Sequence, residues 1–326
     1  MSQMTFNQAF ASAIADEMER DPEVFVMGED IGRHWGGSIG EYKGLEERFG
    51  EERIRNSPIS ERAIMGAAMG AAIVGMRPIA HLMFCEFLGV TMAEIMNALT
   101  KTRYMSGGRV KLPVTITAYI GAGLGGAAEH SSSVEGLLTS ITGLKVVLPS
   151  TPFDVKGLLK SAIRDDNPVA FLYHKYLVFT GVTSEIPDDD YVIPLGKADI
   201  KREGSDVTVV ATGAMVHQAL AAAEKLQARD ISLEVIDPRT LEPFDLETII
   251  ASLEKTGRIV IFTEEPKKNS AGLRIAGLVA ENAFDLLDAP LKVIGAPDTP
   301  VPFSPTLEKV WLPNQDNLVR AIDELI

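Results

Sequence analysis

Residues 114–126 read Val114-Thr115-Ile116-Thr117-Ala118-Tyr119-Ile120-Gly121-Ala122-Gly123-Leu124-Gly125-Gly126. A run of β-branched, aromatic and small apolar residues that stops at closely spaced glycines is a strand ending in a tight turn. A short helix over 134–139 and a strand over 145–148 follow, so the stretch predicts a strand–turn–helix–strand unit. The same alternation extends outward. Towards the N-terminus it predicts helices over 6–19, 62–74 and 91–105 and strands over 24–27 and 79–83. Towards the C-terminus it predicts a helix over 154–164 and a strand over 169–173. Strands alternating with helices build a mainly parallel sheet with helices on both faces, which is an α/β fold.

The alternation breaks at Ser184-Glu185-Ile186-Pro187-Asp188-Asp189-Asp190, which is acidic, carries a proline and has no periodicity. We therefore expect a first domain over 1–183, a linker over 184–195 and a second domain over 196–326. In the second domain strands are expected over 207–211, 232–236, 259–263 and 291–294, with helices over 216–227, 246–253 and 272–284. A chain of 326 residues is long enough for two cores.

A net charge of −14, from 45 acidic against 31 basic residues, repels phosphate backbones and anionic lipid heads, so nucleic acid and membrane are not expected partners. The apolar stretch 64–73 is broken by Gly66 and Gly70 and falls short of a membrane span. The N-terminus lacks a basic segment followed by an apolar one, and a cytoplasmic location is the expectation. The single cysteine, Cys85, excludes an intrachain disulfide and reads as a small core residue.

Gly121 to Gly126 match G-x-G-x-x-G after a strand, which raises a nicotinamide-dependent oxidoreductase as one reading. That reading needs an acidic residue at the end of the next strand to hold a ribose, and Val146-Val147-Leu148 runs instead into Pro149-Ser150-Thr151. His130, in Glu129-His130-Ser131, stands just past a strand end, where ligands of parallel sheets gather. Ser60 is placed to cap a helix with Glu61 in its first turn, a position the helix dipole favours for a carboxylate. Gly66, Ala67, Gly70 and Ala71 put small residues on one helical face and invite a second backbone. Carbonyls at the turn Arg164-Asp165-Asp166-Asn167-Pro168 are candidates for a monovalent cation. No cysteine or histidine cluster has metal-ligand spacing.

In their order, Gly28-Glu29-Asp30, Pro58-Ile59-Ser60-Glu61, Arg77-Pro78-Ile79, Tyr104-Met105-Ser106-Gly107-Gly108, His130-Ser131 and Lys160-Ser161-Ala162-Ile163-Arg164-Asp165 resemble the β subunits of 2-oxo acid dehydrogenases of the pyruvate or acetoin type. Asp237-Pro238-Arg239-Thr240-Leu241 and the ending around Pro302 extend the resemblance over nearly the whole chain. It implies a pyrimidine-binding domain for thiamine diphosphate followed by a transketolase C-terminal-like domain. It also implies an α subunit that supplies a Gly-Asp-Gly motif holding Mg2+ and the diphosphate, because this chain has no such motif. The assembly implied is an α2β2 heterotetramer that decarboxylates or cleaves a small 2-oxo acid or acetoin and reductively acylates lipoyl groups on a dihydrolipoyl acyltransferase core. By the same resemblance Glu61 hydrogen-bonds the aminopyrimidine ring, Phe87 packs on it, Met83 and Ile59 form its wall, and Glu29 belongs to the cofactor site. His130 matches the active-site histidine. Val114, Ala162, Ile163, Asp165 and Asn167 match positions whose backbone oxygens hold K+ in some members. Departures are Glu129 and Ser132, where the family commonly has glutamines, Tyr173-His174-Lys175 after the 169 strand, and Glu264-Glu265-Pro266 in place of Glu-Glu-Gly. A non-catalytic assembly relative with the same fold is the alternative.

Overall fold

The computed structural model describes residues 1–268 and 270–326, and the chain divides into two compact units. The first comprises residues 1–120 and 140–195. Its strands are β1 (Ser2–Thr5), β2 (Val24–Glu29), β3 (Ile54–Ser57), β4 (Arg77–Phe84), β5 (Thr115–Ile120), β6 (Lys145–Val147), β7 (Val169–His174) and β8 (Thr183–Ile186). Six of them form a parallel array in the order β6-β7-β5-β4-β2-β3. β5 and β7 are buried at every position, as strands covered on both faces must be. The first and last strands pair antiparallel, Ser2 with Ile186 and Thr5 with Thr183, so part of the acidic segment expected to be linker is a strand.

Helix Phe6–Arg20 starts at a capping box in which Thr5 accepts from the Gln8 N–H and the Gln8 side chain from the Thr5 N–H. It packs along helix Pro152–Arg164. Arg164 reaches Glu17 at 2.7 Å, and Lys160, only 1% exposed, lies between Asp16 and Asp190. Phe10 fills the space between Tyr42 and Tyr173, with centroids 5.4 and 5.1 Å away. Glu61–Ile73 is helical as expected. The helix expected over 91–105 is instead a 3-10 segment Cys85–Thr91, a π-helical turn Glu94–Leu99 and a short helix Thr102–Met105. The Thr100 hydroxyl donates to Ile95 O and that of Thr102 to Ala98 O, the kind of back-bonding that bends a helix away from its regular ladder.

The second unit comprises residues 121–139 and 196–326. The contiguous boundary expected at 184–195 thus differs in one respect: the glycine-rich segment and the short helix Glu135–Thr139 pack with the C-terminal unit. Its strands are β9 (Asp199–Arg202), β10 (Val207–Ala211), β11 (Leu233–Asp237), β12 (Thr240–Glu242), β13 (Ile259–Pro266) and β14 (Lys292–Ala296). The sheet order is β14-β13-β10-β11-β9, parallel except for β9 at the edge. Helices Met215–Gln227, Leu246–Thr256, Ala271–Asn282 and Gln315–Asp323 accompany it, the last three capped by Asp245, Ser270 and Asn314. Both units are therefore mainly parallel α/β layers. Among the described residues no helix is long and apolar enough to cross a membrane.

The tightest strand contact in the first unit is at Gly28, where an added Cβ would lie 2.7 Å from the His81 Cβ and 2.8 Å from its carbonyl. Neither atom can rotate away, so Gly28→Ala is expected to cost about 1–3 kcal/mol through overpacking. Urea denaturation checks it, and an unchanged midpoint would contradict this packing.

Candidate active site

Parallel strands deliver their C-terminal ends to one edge of the first unit, and the five expected cofactor residues lie at or just past those ends. Glu29 closes β2, while Ile59 and Glu61 follow β3 and open helix Glu61–Ile73. Met83 lies near the end of β4, and Phe87 sits in the 3-10 segment just beyond it. Glu29 is buried and its Oε1 accepts the Ser60 N–H at 3.1 Å. Burial pushes the Glu29 carboxyl above the ordinary glutamate range against that hydrogen bond, and the charges of Glu61 and Asp30 push it the same way. Ser60 does not cap the helix, contrary to the sequence expectation. Its hydroxyl turns back to Pro58 O at 2.9 Å, while its N–H donates to Glu29.

Ile59 is 83% exposed, Glu61 and Met83 are half-buried, and Phe87 is half-buried with its ring edge-on to Phe84 at 5.9 Å. Met83 has φ +57°, a left-handed conformation costly for a long side chain, at the register shift between His81 and Phe84 in the β4–β5 pairing. Such strain is held only where surrounding structure over-determines it, which is common at ligand sites. A carboxylate at a helix start beside exposed apolar side chains suits a flat heteroaromatic ring that carries a protonatable nitrogen. The small-residue face of the same helix is open: a Cβ on Gly66 or Gly70 would meet nothing within 4 Å.

A buried polar layer supports β4 from below. Thr117 Oγ1 lies 2.9 Å from Tyr42 Oη and 3.1 Å from His81 Nδ1, and Tyr119 donates to Glu41. Burial pushes His81 down to about 3 and Glu41 up to about 7. The 3.5 Å approach of His81 Nε2 to Glu41 is thus made by a neutral imidazole near neutral pH. None of this was read from the sequence, although Tyr173, which packs against Phe10 in the same layer, was noted as a departure.

His130 lies in the second unit, half-buried, on the loop that leaves the glycines. That loop is tied down by carboxylates. Ala122 N–H donates to Glu264 at 2.6 Å, Gly123 and Gly125 N–H to the two oxygens of Glu308 at 2.7 and 3.0 Å, and Gly136 N–H to Glu265 at 2.7 Å. Two acids occupy the amides that a dinucleotide phosphate would need, and their charge would repel it, so the nicotinamide reading loses its one support. Glu264 and Glu265 were flagged only as a motif departure, and Glu308 carried no sequence signal.

The five residues expected to offer carbonyls to K+ lie in the first unit around the turn after helix Pro152–Arg164. Val114 O accepts the Val169 N–H, and Ala162 O the Asp165 N–H. Ile163 O and Asp165 O accept from Arg77 at 2.9 and 2.7 Å. Asn167 accepts from Arg103 through Oδ1 at 2.6 Å. Two of the five expected carbonyls are thus already held by the Arg77 guanidinium. Among the described residues no group of three or more histidine, cysteine or acidic side chains is arranged to hold a metal.

Comparison with known proteins accords with both units. The family profile for the transketolase pyrimidine binding domain matches residues 2–180, and that for the transketolase C-terminal domain matches residues 196–318. Fold and family matches thus define a two-unit protein of the transketolase class. A solved split-gene transketolase, described as an inactive β4 tetramer, superposes with a TM-score of 0.81 at 26% identity, covering 99% of this chain and 98% of that one. Acetoin:2,6-dichlorophenolindophenol oxidoreductase subunit beta of Bacillus subtilis is 47% identical over 99% of this chain and 97% of its own length. The 2-oxoisovalerate dehydrogenase subunit beta and the pyruvate dehydrogenase E1 component subunit beta of the same organism are 45% and 42% identical, each over 100% of this chain and 99% of their own. The chain belongs to this family of 2-oxo acid and acetoin dehydrogenase β subunits.

The acids behind the histidine loop have a measurable signature. Glu135 is buried with Oε2 unpartnered, and burial together with the charges of Glu265 and Glu264 pushes it well up. Burial likewise pushes Glu265 from 4.5 up to about 7. Between those values the native form holds a proton that the unfolded chain has released. This contribution to stability is therefore full below the window and is lost as pH rises through it, by about 1.4 kcal/mol per proton and pH unit at most. Glu41 contributes with the same sign. Glu135→Gln is expected to raise Tm at pH 8 and leave it nearly unchanged at pH 5. Equal shifts at both pH values would show that the carboxyl is ionised throughout.

Proposed function

We propose that this chain is the β subunit of a thiamine-diphosphate-dependent dehydrogenase that acts with an α subunit on a small 2-oxo acid or acetoin and passes the acyl group to lipoyl carriers of an acyltransferase core. The observation that carries this reading is Glu61 at the start of its helix, next to Ser60, whose N–H the buried Glu29 accepts, with Ile59, Met83 and Phe87 at or just past neighbouring strand ends of the pyrimidine-binding unit.

When bound, the cofactor supplies an acidic ring carbon that adds to a carbonyl and disperses the negative charge left by bond cleavage. This chain's own residues prepare that chemistry. With the cofactor bound, Glu61 would hold a proton at the pyrimidine ring nitrogen and so would favour proton transfer at the ring amine. Glu29 takes the Ser60 N–H and so sets where the Glu61 helix begins. Ile59, Met83 and Phe87 give the ring an apolar wall that keeps water away. His130 moves protons during acyl transfer.

Mg2+ and the diphosphate fall to the α subunit, since this sequence has no Gly-Asp-Gly. That division of the site is why an α2β2 tetramer, and not this chain alone, is the active form; the inactive β4 assembly of the split-gene transketolase accords with it. The relatives named for acetoin, 2-oxoisovalerate and pyruvate bound the substrate class. The second lone pairs of the Val114, Ala162, Ile163, Asp165 and Asn167 carbonyls receive K+.

Glu61→Gln in the co-expressed tetramer is expected to lower turnover by about 100-fold or more, the scale of one lost general acid–base group, with assembly intact by size-exclusion chromatography. Full activity would remove Glu61 from this role. Replacing K+ by tetramethylammonium at equal ionic strength is expected to lower Tm, and identical melting curves would remove the ion.

A further inference from the structure

Glu308 lies far from the catalytic residues in sequence, on the helix Pro305–Trp311, and is only 3% exposed. Its two carboxylate oxygens are each taken by a backbone amide of the glycine-rich loop, Gly123 at 2.7 Å and Gly125 at 3.0 Å. Charge-assisted hydrogen bonds of this kind are among the stronger fixings available to a loop. The helix is itself held in place. Trp311 packs with Ala122, Ala296 and Val301, and its indole N–H is shared between the Thr299 carbonyl and hydroxyl at 3.2 and 3.1 Å.

The loop passes this fixing on to His130. Gly121 N–H closes the loop on Ser132 O at 2.9 Å. A Cβ on Gly126 would come within 3.0 Å of the His130 carbonyl, so the glycine strand and the histidine strand of the loop are in direct backbone contact. Between them Ala127 is held at φ +57°, a conformation an alanine adopts only when its neighbours impose it. A hydrogen bond and a close backbone approach therefore hold the two arms of the loop together, and Glu308 holds two amides of the first arm.

We propose that Glu308 is a positioning residue for His130: its carboxylate clamps the Gly123 and Gly125 amides and so sets the place of the imidazole five residues further on. The proposal rests on the reading of His130 as a catalytic group. A glutamine at 308 keeps the size of the side chain but replaces one acceptor with an N–H2 that faces an amide N–H, so one of the two anchors must break.

The test is a double-substitution cycle in the co-expressed holoenzyme, with hydrogen exchange as a readout independent of activity. Glu308→Gln is expected to lower kcat by about tenfold or more, the scale of a misplaced catalytic group, with KM within twofold and assembly unchanged. Glu308→Asp should recover part of the loss. In a His130→Ala background, Glu308→Gln should cost less than a further twofold, because the group it positions is gone. An equal loss in both backgrounds would make Glu308 structural only, and full activity of Glu308→Gln would overturn the proposal outright. If His130→Ala alone keeps full turnover, the catalytic reading of His130 fails, and exchange then decides the anchoring separately. Faster exchange across residues 121–134 in Glu308→Gln supports the clamp, and unchanged protection refutes it.

Discussion

A parallel strand buried on both faces has no side chain to spare for chemistry along its length, so its functional groups must collect where it ends. In the first unit Glu29, Ile59, Glu61, Met83 and Phe87, the residues expected at the cofactor, lie at or just past the ends of three successive strands. The strands are apolar enough to be held from both sides, while the edge they share is left to polar and strained residues. Met83 shows the tension directly: it belongs to a buried strand by position, yet its backbone is left-handed where the register slips. The site is built from what the sheet cannot use.

Backbone amides bound by carboxylates are the second recurring device. Glu29 takes the Ser60 amide and sets the start of the Glu61 helix. Glu264, Glu265 and Glu308 take four amides of the segment that leads to His130 and beyond. At Gly123, Gly125 and Gly136 the carboxylate replaces a contact that side-chain packing could not make, because glycine offers no side chain to pack. The cost is several acids gathered in one buried region, and it appears in Glu135 and Glu265, both pushed up by burial and Glu135 also by the charge of its neighbours. Loop order and carboxyl protonation in the second unit are thereby linked.

Much of this architecture was legible in the sequence. Val114 to Tyr119 and Val169 to Tyr173 announced themselves as strands because long buried strands must be apolar and β-branched or aromatic. β3 did not, since Ile54-Arg55-Asn56-Ser57 is an edge strand with one buried residue. The break in the 91–105 helix was hidden because Thr100 and Thr102 are tolerated in helices until their hydroxyls compete for carbonyls. Ser60 looked like a cap because only the fold shows its hydroxyl turned back to the Pro58 carbonyl. The resemblance nominated Glu61 and His130, but Glu308 was out of reach of sequence reasoning: its role depends on a chain that returns 183 residues later to meet Gly125.

The central claim is that this chain provides half of a thiamine-diphosphate site and works only with an α subunit. It is tested most directly by dye-linked turnover of pyruvate, branched-chain 2-oxo acids and acetoin by the co-expressed α2β2 tetramer, with and without thiamine diphosphate and Mg2+, beside the β chain alone. The account predicts turnover of at least one of these substrates that requires both additions and is absent from the β chain. An intact tetramer that turns over none of them with both additions, or a β chain active alone, would contradict it.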